Sequence, residues 1–150
     1  MLSCVNVEGP ISDKGVRASW KEYTFRGRLA LADGLASAGI DVISLANNHS
    51  MDMGAGGVFR TLDNLDAAGM PHMGSARSPE ERMAIPLFDV GGVSIAFLNA
   101  TSSLNGIPLP DGQPFAVTMI DSKFLLAQAA EARAQGAELV IAWLVYTSPS

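Results

Sequence analysis

Two short polar clusters carry the residue types that could do chemistry in this chain. The first is Asn6-Val7-Glu8-Gly9-Pro10. The second is Ala46-Asn47-Asn48-His49-Ser50-Met51-Asp52. Each directly follows an apolar run that reads as a strand. In an open α/β sheet, ligands bind beyond the carboxyl ends of the strands. If the two strands are parallel neighbours, both clusters fall on one edge. A carboxylate, an amide oxygen and an imidazole would then converge. That set suits a divalent cation of hard or borderline character: Mn, Fe, Zn or Mg. Each residue also has a plainer reading. Glu8 could be an exposed loop carboxylate. Asn47 and Asn48 could form a turn, since Asn tolerates left-handed backbone angles. His49 could be a hydrogen-bonded structural histidine, Asp52 a helix cap, and Asn6 a backbone partner at a strand end. The pairing of the clusters is what favours the chemical reading.

Other candidates are weaker. Gly54-Ala55-Gly56-Gly57 could cradle a phosphate on backbone N–H groups. It matches neither a dinucleotide nor a P-loop pattern, so a flexible turn is the better reading. Cys4 lies within a strand and reads as inert. His72 follows Pro71 in a short strand. Arg26 and Arg28, with Tyr23 and Phe25, could line the mouth of a site or simply begin a solvated helix.

The elements that must position these residues follow from hydrophobic spacing. Strands are expected at residues 2–7, 41–46 and 139–144, with a short one at 70–74. The run from Asp41 to Ala46 is β-branched and nearly all apolar, as in parallel strands covered on both faces. Helices are expected from Arg26 to Ala38, Val58 to Ala68 and Asp121 to Gln135, each ending at a glycine. Val58, Leu62 and Leu65 form a core-facing stripe. Gly91-Gly92 between two apolar runs signals a β-hairpin. Residues 100–120, rich in Gly and Pro, read as a long functional or mobile loop. The order is α/β, a mostly parallel sheet with crossover helices plus a β-hairpin.

The chain has 150 residues, 48% of them hydrophobic, which supplies a core. Its net charge of −5, with no basic run, argues against nucleic acid or an anionic membrane as the main partner. No apolar run is long enough to span a bilayer. One cysteine excludes an intrachain disulfide framework. The sequence opens without a signal-peptide pattern and directly in a strand, so a missing start is expected.

At the two clusters the sequence resembles the capsule synthesis family CapA, the poly-γ-glutamate biosynthesis proteins, similar in fold to calcineurin-like metallophosphatases. The resemblance rests on Asn6-Val7-Glu8-Gly9-Pro10-Ile11-Ser12, on Tyr23-Thr24-Phe25-Arg26-Gly27, and above all on Ala46-Asn47-Asn48-His49 with Asp52 and Gly54. Thr61-Leu62-Asp63-Asn64-Leu65 and Ala68-Gly69-Met70 extend it, from about residue 2 to residue 144. The resemblance implies a partial metallophosphatase-like sandwich. It implies Glu8, Asn48 and His49 as metal ligands, the centre being binuclear in the full-length protein, and His49 as a proton donor oriented by Asp52. Asn6, Asn47 and Arg26 are then expected on the substrate side. The implied activity is metal-dependent hydrolysis of a phosphoester type, on a small molecule or an anionic polymer. The cell envelope is the implied location, with envelope biosynthesis partners.

The sequence also departs from that family. An earlier Asp-bearing strand and a later His-rich loop are missing. Val145-Tyr146-Thr147 stands where a His-Trp-Gly element belongs. The expectation is a fragment: a partial domain over 1–144, a non-native tail over 145–150, exposed sheet edges, and little or no activity alone. The alternatives are a non-enzymatic protein that binds polymer or assists its export, and a generic α/β phosphate-binding module.

Overall fold

The computed structural model describes residues 1–146. Of the tail expected over 145–150, residues 147–150 therefore lie outside the described residues. The elements run β1 (Cys4–Asn6), α1 (Ala30–Ser37), β2 (Val42–Ser44), α2 (Gly54–Ala67), β3 (His72–Met73), α3 (Pro79–Met83), β4 (Leu87–Val90), β5 (Val93–Thr101), α4 (Ser122–Ala134) and β6 (Leu139–Val145). They form two three-stranded sheets. One has the order β1-β2-β3, all parallel. The other has the order β4-β5-β6, with β4 antiparallel and β6 parallel to β5. The chain is thus a partial α/β sandwich, parallel in three of its four ladders, with the expected hairpin between β4 and β5.

Local chemistry explains most of these elements. Both hairpin glycines have positive φ, 65° at Gly91 and 85° at Gly92, as a tight two-residue turn requires. Asp121 caps α4 by accepting from the Phe124 N–H at 3.0 Å. All three residues of β2 are buried, as expected of a parallel strand covered on both faces. The largest core joins Ile11, Ile43, Leu62 and Leu65 with Leu104 and Val117. A second lies under α4, and a third of Val42, Met73 and Phe97 spans the two sheets. Asn99 fastens the same junction. Its Oδ1 accepts from the N–H groups of Leu45 (3.1 Å) and Ala46 (2.6 Å), and its Nδ2 donates to the Trp143 carbonyl (3.0 Å).

Three expectations are corrected. Helix α1 begins four residues later than Arg26, because Gly27 pairs with Ile11 instead: its N–H donates to the Pro10 carbonyl at 2.8 Å. Helix α2 begins at Gly54, not Val58. The glycines that read as a flexible turn are its first turn, and a β-carbon at Gly57 would meet the Met53 side chain at 2.4 Å. Packing here overrides helix propensity. The segment 100–120 is pinned, not free. The Thr101 N–H donates to the Thr118 carbonyl, the Thr118 N–H to the Gly74 carbonyl, and Leu104 and Val117 enter the core. Strand β6 leaves Leu139, Ile141 and Leu144 exposed. Helix α3 was not expected at all. Its signal was present in Ser78-Pro79-Glu80-Glu81, where the Ser78 hydroxyl accepts from the Glu81 N–H.

Candidate functional site

Strands β1 and β2 are parallel neighbours, with Asn6 opposite Ser44. Both polar clusters therefore leave the same edge of the sheet. The Glu8 carboxylate and His49 Nε2 stand 3.7 Å apart, Glu8 half exposed and the imidazole 12% exposed. Behind the ring, His49 Nδ1 lies 2.7 Å from Asp52 Oδ2. Asp52 is completely buried. Its Oδ1 takes an ion pair from Lys21, and its Oδ2 also accepts the Phe25 N–H at 2.7 Å. With donors already directed at both carboxylate oxygens, Asp52 is an acceptor toward the ring. Nδ1 thus carries the hydrogen and Nε2 is the open nitrogen. The Phe25 ring meets the imidazole edge-on, centroids 4.2 Å apart.

The turn that presents His49 is built by Asn47. Its Nδ2 donates to the Val7 carbonyl (2.9 Å), to Asn6 Oδ1 (3.2 Å) and to the Leu45 carbonyl (3.3 Å). Its Oδ1 accepts the His49 N–H, and its own N–H donates to Ser50 Oγ. Asn47 is 1% exposed. Its side chain, expected on the substrate side, is occupied in joining the two clusters, and Asn6 serves as one of its partners. Asn48 is half-buried between Asn47 and His49, and Arg26 is exposed. A cleft of about 490 Å³ opens at His49, lined by Trp20, Lys21, Tyr23, Phe25 and Asn105 among others, without Arg26. Sequence reasoning missed Lys21, which lies 31 residues from its partner within an unpatterned polar loop.

The Glu8 carboxylate and the Asn48 amide are donor types that a hard or borderline divalent cation accepts, and His49 Nε2 lies beside that carboxylate at 3.7 Å. Asp52 adds nothing there, because its oxygens are engaged on the far side of the ring. Among the described residues, no group of three or more His, Cys, Asp or Glu side chains could hold a metal ion.

The weaker candidates have other partners. His72 Nε2 lies 2.9 Å from Asp66 Oδ1. Burial pushes the Cys4 thiol up to about 11, which leaves little thiolate at neutral pH. In the first turn of α2, Gly54 N–H donates to the Met51 carbonyl and Gly57 N–H to the Met53 carbonyl. The backbone of Gly15 and Val16 lies against this turn. The Gly54 and Gly57 amides are therefore not free to cradle a phosphate.

Comparison with known proteins adds the family context. The sequence pattern of the family described as bacterial capsule synthesis protein PGA_cap matches residues 2–146. A relative named capsule biosynthesis protein CapA, from Bacillus anthracis, is 28% identical over 133 residues. The match covers 87% of this chain and 31% of the relative, so the chain spans about a third of that protein's length. No helix among the described residues is long and apolar enough to cross a membrane.

Proposed function

Because the chain belongs to the bacterial capsule synthesis protein family PGA_cap, we propose that it contributes one part of a metal-dependent hydrolytic centre. The centre would be of the metallophosphatase type and would act at the cell envelope on an anionic polymer, such as poly-γ-glutamate, or on its small-molecule precursors. The observation that carries this reading is the series Lys21, Asp52, His49, Glu8, aligned at the carboxyl ends of two parallel strands.

In this reading each residue has one task. Asp52 holds the Nδ1 hydrogen and fixes the ring, while Lys21 offsets the buried carboxylate charge. Phe25 restricts the ring from its edge. Nε2 is then the atom that gives a proton to a departing oxygen or takes one from water. The same nitrogen cannot carry a proton and bind a cation at once. Glu8 and the Asn48 amide oxygen would therefore hold a divalent ion, whether Mn, Fe, Zn or Mg. When bound, such an ion polarises the scissile group and lowers the pKa of a bound water. It would also offset the repulsion between a −5 chain and a polyanionic substrate. Two protein donors give weak retention, so this chain alone is proposed to have little activity.

Manganese titration by calorimetry tests the metal assignment. Weak binding is expected, further weakened by Glu8→Ala and Asn48→Ala but little changed by His49→Gln. Binding that is indifferent to Glu8 and Asn48 would refute this ligand set. In a full-length relative, substituting the histidine that aligns with His49 should abolish hydrolysis. Retained hydrolysis there would refute the proton-transfer role given to His49, and a full-length relative without any hydrolytic activity would leave polymer binding or export assistance as the function.

A further inference from the structure

Three aromatic side chains, Trp20, Tyr23 and Phe25, line the cleft of about 490 Å³ at His49. Trp20 is 64% exposed and Tyr23 is 69% exposed. The segment that carries them is nonetheless held. The Lys21 ammonium and the Phe25 N–H both bond to Asp52, which anchors the stretch at two points. Arg17 donates to the carbonyls of Lys21 and Glu22, each at 3.3 Å, and the Val16 N–H donates to the Met53 carbonyl at 3.1 Å. Trp20 also lies against the turn at Asn105 and Gly106, where a β-carbon on Gly106 would come 3.5 Å from its ring. Large rings kept in water on an anchored segment offer a ligand apolar area at little further loss of conformational freedom.

The charges around the cleft decide what those rings suit. Among the described residues that line it, Lys21 is the one Lys or Arg, and its ammonium is engaged by the buried Asp52. Arg17 and Arg26 stand outside the lining. Glu22 is exposed and forms no ion pair among the described residues. An anionic ligand would therefore meet a carboxylate here and no free ammonium. A cationic ligand would meet Glu22, but beside the Arg17 guanidinium that is bonded to the Glu22 carbonyl. Neither sign is favoured. Glu22 and Asn105 instead add an acceptor and an amide, which between them can take and give hydrogen bonds to hydroxyl groups.

We propose that this cleft binds a neutral sugar ring. In a β-linked glucose unit the ring substituents are equatorial, so each face shows axial C–H groups and the rim carries the hydroxyls. One face would pack on the aromatic wall, and the rim would meet Glu22 and Asn105. The volume falls within the roughly 300–1,000 Å³ ordinary for small-molecule sites. The inference rests on the proposed centre in one respect. Beside His49, the sugar would be the part of the substrate next to the reacting bond, with the anionic part at the cation held by Glu8 and Asn48. Binding of the sugar itself requires neither metal nor turnover.

The test is a titration of the ¹⁵N-labelled chain with cellotetraose in the presence of EDTA, followed by NMR at the indole N–H groups of its two tryptophans, Trp20 and Trp143. A γ-linked tetraglutamate and choline chloride, at matched ionic strength, are the anionic and cationic comparisons. Cellotetraose should give saturable shifts at Trp20 and none at Trp143, which does not line the cleft, and should do so at lower concentration than either charged probe. Trp20→Ala, read at the backbone amides of residues 21–25, should weaken binding about tenfold or more, the worth of one buried ring. The position is largely exposed, so the native spectrum should persist. The absence of a saturable shift at Trp20 would overturn the proposal. So would equal shifts at Trp143, tighter binding of tetraglutamate or choline, or indifference to Trp20→Ala. Because the titration is free of metal, its failure leaves the manganese result standing, and failed manganese binding leaves the sugar result standing.

Discussion

The polar group around Asp52 and the pair Arg82 and Gln128, on helices α3 and α4, are built on opposite plans. At Asp52 both carboxylate oxygens are engaged, by Lys21 on one side and by Phe25 and His49 on the other. At Arg82 and Gln128, two buried polar atoms, Nε and Oε1, have no hydrogen-bond partner among the described residues. The first arrangement is complete in itself, and its product is one oriented nitrogen, His49 Nε2. The second is incomplete in itself. A saturated network rigidifies a site, whereas an unsaturated one costs stability unless something fills it.

The sharpest way to break this contrast is Asp52→Ala. It would strand the Lys21 ammonium, whose side chain is 8% exposed, without its partner. Removing one member of a buried pair costs about 3–5 kcal/mol. Urea unfolding should show a loss of that size, and a loss below about 1 kcal/mol, the range of surface pairs, would mean that Lys21 reaches water. Asn99→Ala comes next. It removes the acceptor for the Leu45 and Ala46 N–H groups at the junction of the two sheets. About 2–3 kcal/mol should be lost, because buried donors are left unsatisfied. Gln128→Leu should change stability by no more than about 1 kcal/mol. It deletes one hydrogen bond but also removes an unpaired buried oxygen and adds apolar burial. A loss comparable to that of Asn99→Ala would erase the distinction between the two regions.

The sequence made one of these regions legible and not the other. Glu8 and His49 were readable because each follows an apolar strand directly, and parallel pairing then places them on one edge. The hairpin and the capped helix α4 were readable from local signals. Lys21 was not, because its partner lies 31 residues away and nothing in the polar loop marks it as buried. The role of Asn47 was legible only as a turn; its bonds to β1 required the register. The first turn of α2 was misread because its glycines answer to the close approach of Met53, Gly15 and Pro10, a tertiary constraint. The unmatched pair was invisible for the same reason. Arg82 lies on a helix of five residues and Gln128 on one that begins 39 residues after it ends.

The smallest expected effect concerns the other end of the first sheet, where a carboxylate engaged through one oxygen occurs at the surface. Asp41 Oδ2 accepts from the Ser3 N–H and from Ser3 Oγ, both at 2.7 Å, and so fastens the start of β1 beside β2. The backbone bond from Ser3, then its hydroxyl, hold the Asp41 carboxyl below the usual carboxylate range. Slight burial opposes them and the N-terminal ammonium assists. A group whose folded pKa is depressed stabilises the fold above its unfolded value, near about 3.9, and that contribution disappears as pH falls through the folded value. Wild type and Asp41→Asn should therefore differ measurably in urea midpoint at neutral pH. The gap should begin to narrow below about pH 4 and close once both forms are protonated. Because Asp41 is open to water, the neutral-pH gap should also shrink in high salt, unlike the loss from Asp52→Ala. A gap that stays constant with pH would trace the effect to side-chain geometry instead of charge. The surface carboxylate, engaged through one oxygen, would then differ in kind from the buried one.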